Sequence, residues 1–141
     1  MFFSRVLKLS VAVEREAMQQ TVNNLDSVLK IEWLTHLVRN EQGRLEALVG
    51  SNPMLLLPEP PATYLGELEH PDPAAIPPQR WYYDKTQHLL VYRVANPQAV
   101  EGEAENPPRI RFRVAARRDE QGRILQIELR PVDNYRWSGG T

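Results

Sequence analysis

The chain has 141 residues, a formal net charge of −1, 25% charged residues and no cysteine. That length suits one domain built around one hydrophobic core. The balance of 17 basic against 18 acidic residues gives no bulk-charge footprint for nucleic acid and no polybasic membrane patch. The missing thiols exclude disulfides, cysteine zinc sites and thiol nucleophiles.

The N-terminal MFFSRVLKLSVAV carries Arg5 and Lys8 inside its apolar run, and Glu14, Arg15 and Glu16 follow at once. A spanning helix needs roughly 20 apolar residues with few charges, and a secretory signal needs an uninterrupted apolar centre. Neither is expected in this stretch. Between Arg5 and Asn40 there is no Gly and no Pro, which predicts a long amphipathic stem helix over residues 1–40, or two nearly continuous ones. At about 100° per residue, Leu7, Val11, Met18, Val22, Leu25 and Leu29 fall in one narrow band, with Trp33 beside it. Beyond Val28 the pattern changes, because Ile31, Leu34 and Val38 point to the opposite side. A helix apolar on both sides is buried on both sides. The second half is therefore expected inside the domain, with the first half projecting from it along one apolar stripe. Such a helix would be roughly 50 Å long.

Residues 41–141 are expected to form a globular head. Gly43 ends or interrupts the long helix, and RLEALVG reads as a short second helix closed by Gly50. Eight of the 12 prolines fall between Pro53 and Pro78, which rules out regular helix or a central strand in the connection 51–79. Met54, Leu55, Leu56, Leu57, Tyr64, Leu65 and Leu68 make that connection too apolar for a free linker. It is expected to pack on the core. Residues 80–132 read as antiparallel sheet: a hairpin at Trp81–Val94 turning at Asp84–Gln87, then RIRFRVAAR, the turn DEQG, and RILQIELRPV. ANPQAVEGEAENPP between the hairpins reads as a surface loop. The expected fold is α+β, with the long N-terminal helix packed on a four-stranded antiparallel sheet.

Catalytic signals are sparse. His36 continues the helix seam and His88 sits beside the hairpin turn. His70 has Glu67, Glu69 and Asp72 nearby, a group that reads more readily as a solvated acidic loop than as a metal site. No HExxH, GxSxG, GxGxxG or Walker-type loop occurs. The expectation is a protein that is not an enzyme and uses no cofactor or metal. Arg109, Arg111 and Arg113, extended by Arg117 and Arg118, form the strongest single-sign feature. They read as a charge-protected solvent face or as a contact surface for an acidic partner, and the lack of interleaved aromatics argues against nucleic acid. Trp81, Tyr82 and Tyr83 are core or interface anchors, at least one of them core.

The helix through VEREAMQQTVNNLDSVLKIEWLTHLV, the connection with GSNPMLLL and PPATYLGEL, the WYYDKTQHLLVYRV hairpin and the short sheet ending at YRW together resemble type IV pilin-like proteins. The likeness runs from Val13 onward and is nearest to pseudopilin-like accessory proteins of type II secretion and of MSHA-type pilus biogenesis. It implies a non-enzymatic envelope component at the periplasmic face of the inner membrane, working through contacts with other pilus or secretion-system proteins. The Phe-Thr-Leu-Ile-Glu prepilin motif is absent, and membrane contact would come only through a segment outside this chain; a start at Met1 would instead imply a cytoplasmic protein. Partner-binding residues on this reading are Leu7, Val11, Met18, Val22, Leu25 and Leu29 on the helix and Arg109, Arg111 and Arg113 on the sheet. Val22→Asp or Leu25→Asp is expected to weaken assembly and leave the head folded. The alternative is a soluble interaction module that forms a homo-oligomer through the 3-4 spacing of Met18, Val22, Leu25 and Leu29.

Overall fold

The computed structural model describes residues 2–102 and 107–137, with side chains from residue 5 onward. Helix α1 runs from Phe2 to Val38. It ends in a left-handed residue at Asn40, φ 55°, where Asn40 N–H donates to Leu37 O (3.1 Å) and Glu41 N–H to His36 O (2.9 Å). These are the two bonds of a Schellman cap, with Asn in the position glycine usually holds. The break therefore falls at Asn40. Gly43, expected to end or interrupt the helix, lies inside α2 (Gln42–Leu48).

The sheet has five strands in the order β1-β2-β3-β5-β6, where the sequence predicts four. β2 (Arg80–Asp84), β3 (Leu89–Arg93), β5 (Arg109–Arg118) and β6 (Ile124–Pro131) are antiparallel neighbours, as expected. The additional strand β1 (Tyr64–Leu68) pairs parallel with β2. It comes from the Pro-rich connection, at a sheet edge where flanking prolines remove no ladder hydrogen bonds. A second, two-stranded sheet pairs β4 (Val100–Gly102) with β7 (Tyr135–Trp137). Part of the segment read as a surface loop is thus strand, and its residues 103–106 lie outside the described residues. At Gly102, φ 116°, a Cβ atom would stand 1.9 Å from Asn134 O, so this pairing needs glycine.

Strand alternation sorts the side chains. Trp81, Tyr83, Leu90, Tyr92, Ile110, Phe112 and Val114 point to the α1 side and form one core with Met18, Val22, Leu25 and Leu29. All three residues of Trp81-Tyr82-Tyr83 are buried, but Tyr82 faces the other side of the sheet, with Leu89, Val91 and Ile76. The Pro-rich connection packs on the core as expected. Met54 is buried, and Asn52 accepts from Met54 N–H while donating to Tyr64 Oη (2.7 Å) and Glu67 Oε2 (3.0 Å). One expectation fails: Ile31, Leu34 and Val38 are exposed. The sheet covers one side of α1, and among the described residues nothing buries these three on the other.

The outer strand β6 is closed off by helix side chains. Gln42 Oε1 accepts from Ile124 N–H (3.1 Å) and Asp26 Oδ1 from Leu129 N–H (3.4 Å). Desolvation raises the Asp26 pKa, against the lowering effect of the Leu129 N–H, with Glu128 adding to the rise. A carboxyl group whose pKa is raised on folding binds more protons in the folded state, so its contribution to stability falls as pH rises through the folded pKa. Asp26→Asn keeps an acceptor for Leu129 and removes the titration. Wild-type stability relative to Asp26→Asn, measured by urea unfolding from pH 4 to pH 7, should decline with rising pH; a constant difference would refute the desolvation of Asp26.

Candidate interaction surfaces on the helix and sheet

The position of α1 on the sheet is set by a charged residue within its apolar seam. Glu14 lies between Val11 and Met18 at the spacing an apolar residue would occupy, and it is 1% exposed. Its Oε2 accepts from Tyr92 Oη and Ala95 N–H, both at 2.7 Å. Its Oε1 accepts from Asn96 N–H (2.9 Å) and Asn96 Nδ2 (2.8 Å). A carboxylate is costly to bury unless its oxygens are hydrogen-bonded, and four donors meet that need here. Burial, then the hydrogen bond to Glu14, pushes the Tyr92 phenol far above its ordinary pKa, so Tyr92 stays a donor. At the other end of the seam, His36 reaches Glu32 (3.2 Å) and Glu41 (3.1 Å), and this contact holds Glu41 below the usual carboxylate range.

This geometry corrects the expected partner-binding stripe. Met18, Val22, Leu25 and Leu29 are buried against the chain's own sheet and present no surface to another protein. Val22→Asp and Leu25→Asp would therefore damage the head, where the sequence reading expected it to stay folded. Of the six helix residues only Leu7 is exposed, and Val11 is half-buried. The other exposed large apolar residues of α1 are Val6, Leu9 and Val13 near its start, which sequence reasoning leaves out, and Ile31, Leu34, Leu37 and Val38 near its end, of which Ile31, Leu34 and Val38 are expected from the sequence to be buried.

The arginines divide as well. Arg109, Arg111 and Arg113 alternate with the buried Ile110, Phe112 and Val114 and so face away from α1. Arg111 makes a bidentate ion pair with Asp133 through Nε (3.1 Å) and Nη2 (2.7 Å), and Asp133 Oδ2 also accepts Arg111 N–H (2.8 Å). Asp133 is 4% exposed. This pair ties the segment after β6 back onto β5. Arg109 donates to Pro107 O (3.1 Å), whereas Arg113 is exposed. Arg93, opposite Arg109 in the ladder, donates to Pro73 O and Ile76 O of the loop that covers this face.

The His70 group is dispersed into local structure. His70 takes a left-handed conformation, φ 47°, and its N–H donates to Thr86. Glu67 accepts from Asn52, Glu69 lies 3.9 Å from Lys85, and Asp72 caps the turn at Ala74. Among the described residues no group of three His, Cys, Asp or Glu is placed to hold a metal ion, and no helix is long and apolar enough to cross a membrane. Between α1 and the Pro-rich connection runs an open groove of 450 Å³ lined in part by Thr21, Val28, Leu57 and Pro61. Family models, curated proteins and solved structures were all compared with the chain, and none matches.

Glu14→Ala leaves four donors without their acceptor and should cost about 4 kcal/mol, with Tyr92→Phe costing about 2 kcal/mol; denaturant unfolding checks both. On the sheet, Arg111→Ala should cost about 3 kcal/mol by stranding Asp133. Arg113→Ala should stay within about 0.5 kcal/mol, and equal costs for the two would contradict the division between them.

Proposed function

We propose that the protein is a non-enzymatic component or accessory factor of a bacterial type IV pilus of the MSHA type, or of a type II secretion machine. It acts through protein–protein contacts at the periplasmic face of the inner membrane. One observation carries this reading: α1 is held to the head from Ser10 and Glu14 onward, while its first turns stand clear with Val6, Leu7 and Leu9 exposed. A head that grips one part of a helix and leaves an apolar end free is suited to insertion beside other helices. The resemblance of the VEREAMQQ helix, the Pro-rich connection and the WYYDKTQHLLVYRV hairpin to pilin-like proteins supplies the choice of machine.

The chain has no cysteine, so a single introduced thiol is unique in it. Val6→Cys or Leu9→Cys, produced in the native bacterium, should form crosslinks to other pilus or secretion proteins, while Arg113→Cys on the sheet should form far fewer. Deletion of the gene should abolish surface pili or secretion. Normal pili and normal secretion in the deletion strain would refute the proposal.

A further inference from the structure

The outer face of α1 carries two apolar blocks. Val6, Leu9 and Val13 form one, and Ile31, Leu34 and Val38 the other; all six are between 41% and 84% exposed. At the helical repeat they share an arc of about 80°, centred nearly opposite the buried seam. Between the blocks the same arc holds Gln20, Asn24 and Ser27, which are small or polar, with Glu16 at one edge and Ala17 just beyond the other. Six of the exposed large apolar side chains of α1 share this face, while Leu7 and Leu37 lie off it, and such a concentration is a feature of contact surfaces.

The arrangement is close to a palindrome about Val22. Reversing the helix sets Val6 against Val38, Val13 against Ile31, and Leu9 against the Leu34–Thr35 step. The centre then sets Ala17 against Ser27 and Gln20 against Asn24. A two-fold symmetric interface must be self-complementary in this way. We infer that this face of α1 pairs antiparallel with the same face of a second copy of the chain, about a two-fold axis near Val22. The sheet lies on the opposite side of each helix, and the head approaches the outer face at the groove where Leu57, Pro58, Glu59 and Pro61 stand across from Asn24 and Ser27.

Charge selects the direction. Glu16 and Lys30 lie on the same flank of the outer face. In the antiparallel pair Glu16 of one copy comes within about 3 Å along the axis of Lys30 in the other, and symmetry makes the contact twice. In a parallel pair Glu16 would face the uncharged flank of Ser10, Ala17 and Thr21. The centre carries no bulky apolar side chain, and the amides of Gln20 and Asn24, bonded to each other within one helix (3.4 Å), would fix register by exchanging partners across the axis, as buried polar residues do in coiled coils. The inference does not rest on the pilus or secretion reading. Val6 and Leu9 cannot face a second copy and another helix at once, so self-pairing and assembly compete for them.

The test uses the full chain and two single-cysteine variants, Val13→Cys and Ile31→Cys. Both sites are exposed, and thermal unfolding checks that the variants fold. Mixed and mildly oxidised, the two should give the mixed disulfide well above either homodimer. Glu16→Lys and Lys30→Glu should each weaken the dimer by roughly tenfold in sedimentation equilibrium, and the double variant should restore it. Homodisulfides at Val13→Cys in place of the mixed species, or a wild-type chain that stays monomeric at several hundred micromolar, would overturn the inference.

Discussion

The carboxylate of Glu14 governs how the rest of the molecule is arranged. A charged side chain in a seam of Val, Met and Leu is tolerable only in the one orientation where Tyr92, Ala95 and Asn96 meet both of its oxygens. Apolar contacts tolerate small rotations and slips, because they depend on area more than on direction. Hydrogen bonds to a buried carboxylate do not. Turning α1 by one residue would carry Glu14 about 100° away from its donors. The carboxylate therefore determines which side chains of the helix meet the sheet and which are left outside.

From that anchor the head is built outward by a few directed contacts. Gly50 joins the end of α2 to the sheet, its N–H donating to Val114 O (2.8 Å) and its carbonyl accepting from the Tyr83 hydroxyl. Asn52 gathers the Pro-rich connection against β1. Arg111 and Asp133 hold the segment that leads into β7. Each of these joins parts of the chain distant in sequence, and each uses a polar group at the margin of an otherwise apolar layer. The two sides of the sheet differ accordingly. One is sealed by the helix, and the other has a small apolar centre under a proline loop, bordered by arginines.

Much of this architecture is legible in the residues. The helix, the two hairpins and the packed character of the Pro-rich connection follow from periodicity and turn chemistry, because local preference and burial agree in those segments. The strand β1 is not legible, since YLGEL is short, contains Gly66 and is flanked by prolines, and only its place beside β2 makes it strand. The sequence reading places the partner surface of the helix on the seam that the sheet covers, for a related reason. Periodicity finds an apolar seam but does not say whether the chain's own sheet or another molecule covers it. Glu14 was a usable signal: a charge at a seam position calls for buried donors, and those donors belong to the same chain. The arginine row shows the same limit, because spacing cannot distinguish Arg111, paired with a carboxylate 22 residues later, from the exposed Arg113.

The capping of β6 bears on how the protein can grow into larger structures. A free sheet edge invites another strand, which is a route to fibres and to peptide capture. Here two of the outward N–H groups of that edge are taken by Gln42 and Asp26, so an incoming strand would have to displace side chains rooted in helices. At these two positions the β6 edge can accept a new strand only by giving up a contact between helix and sheet.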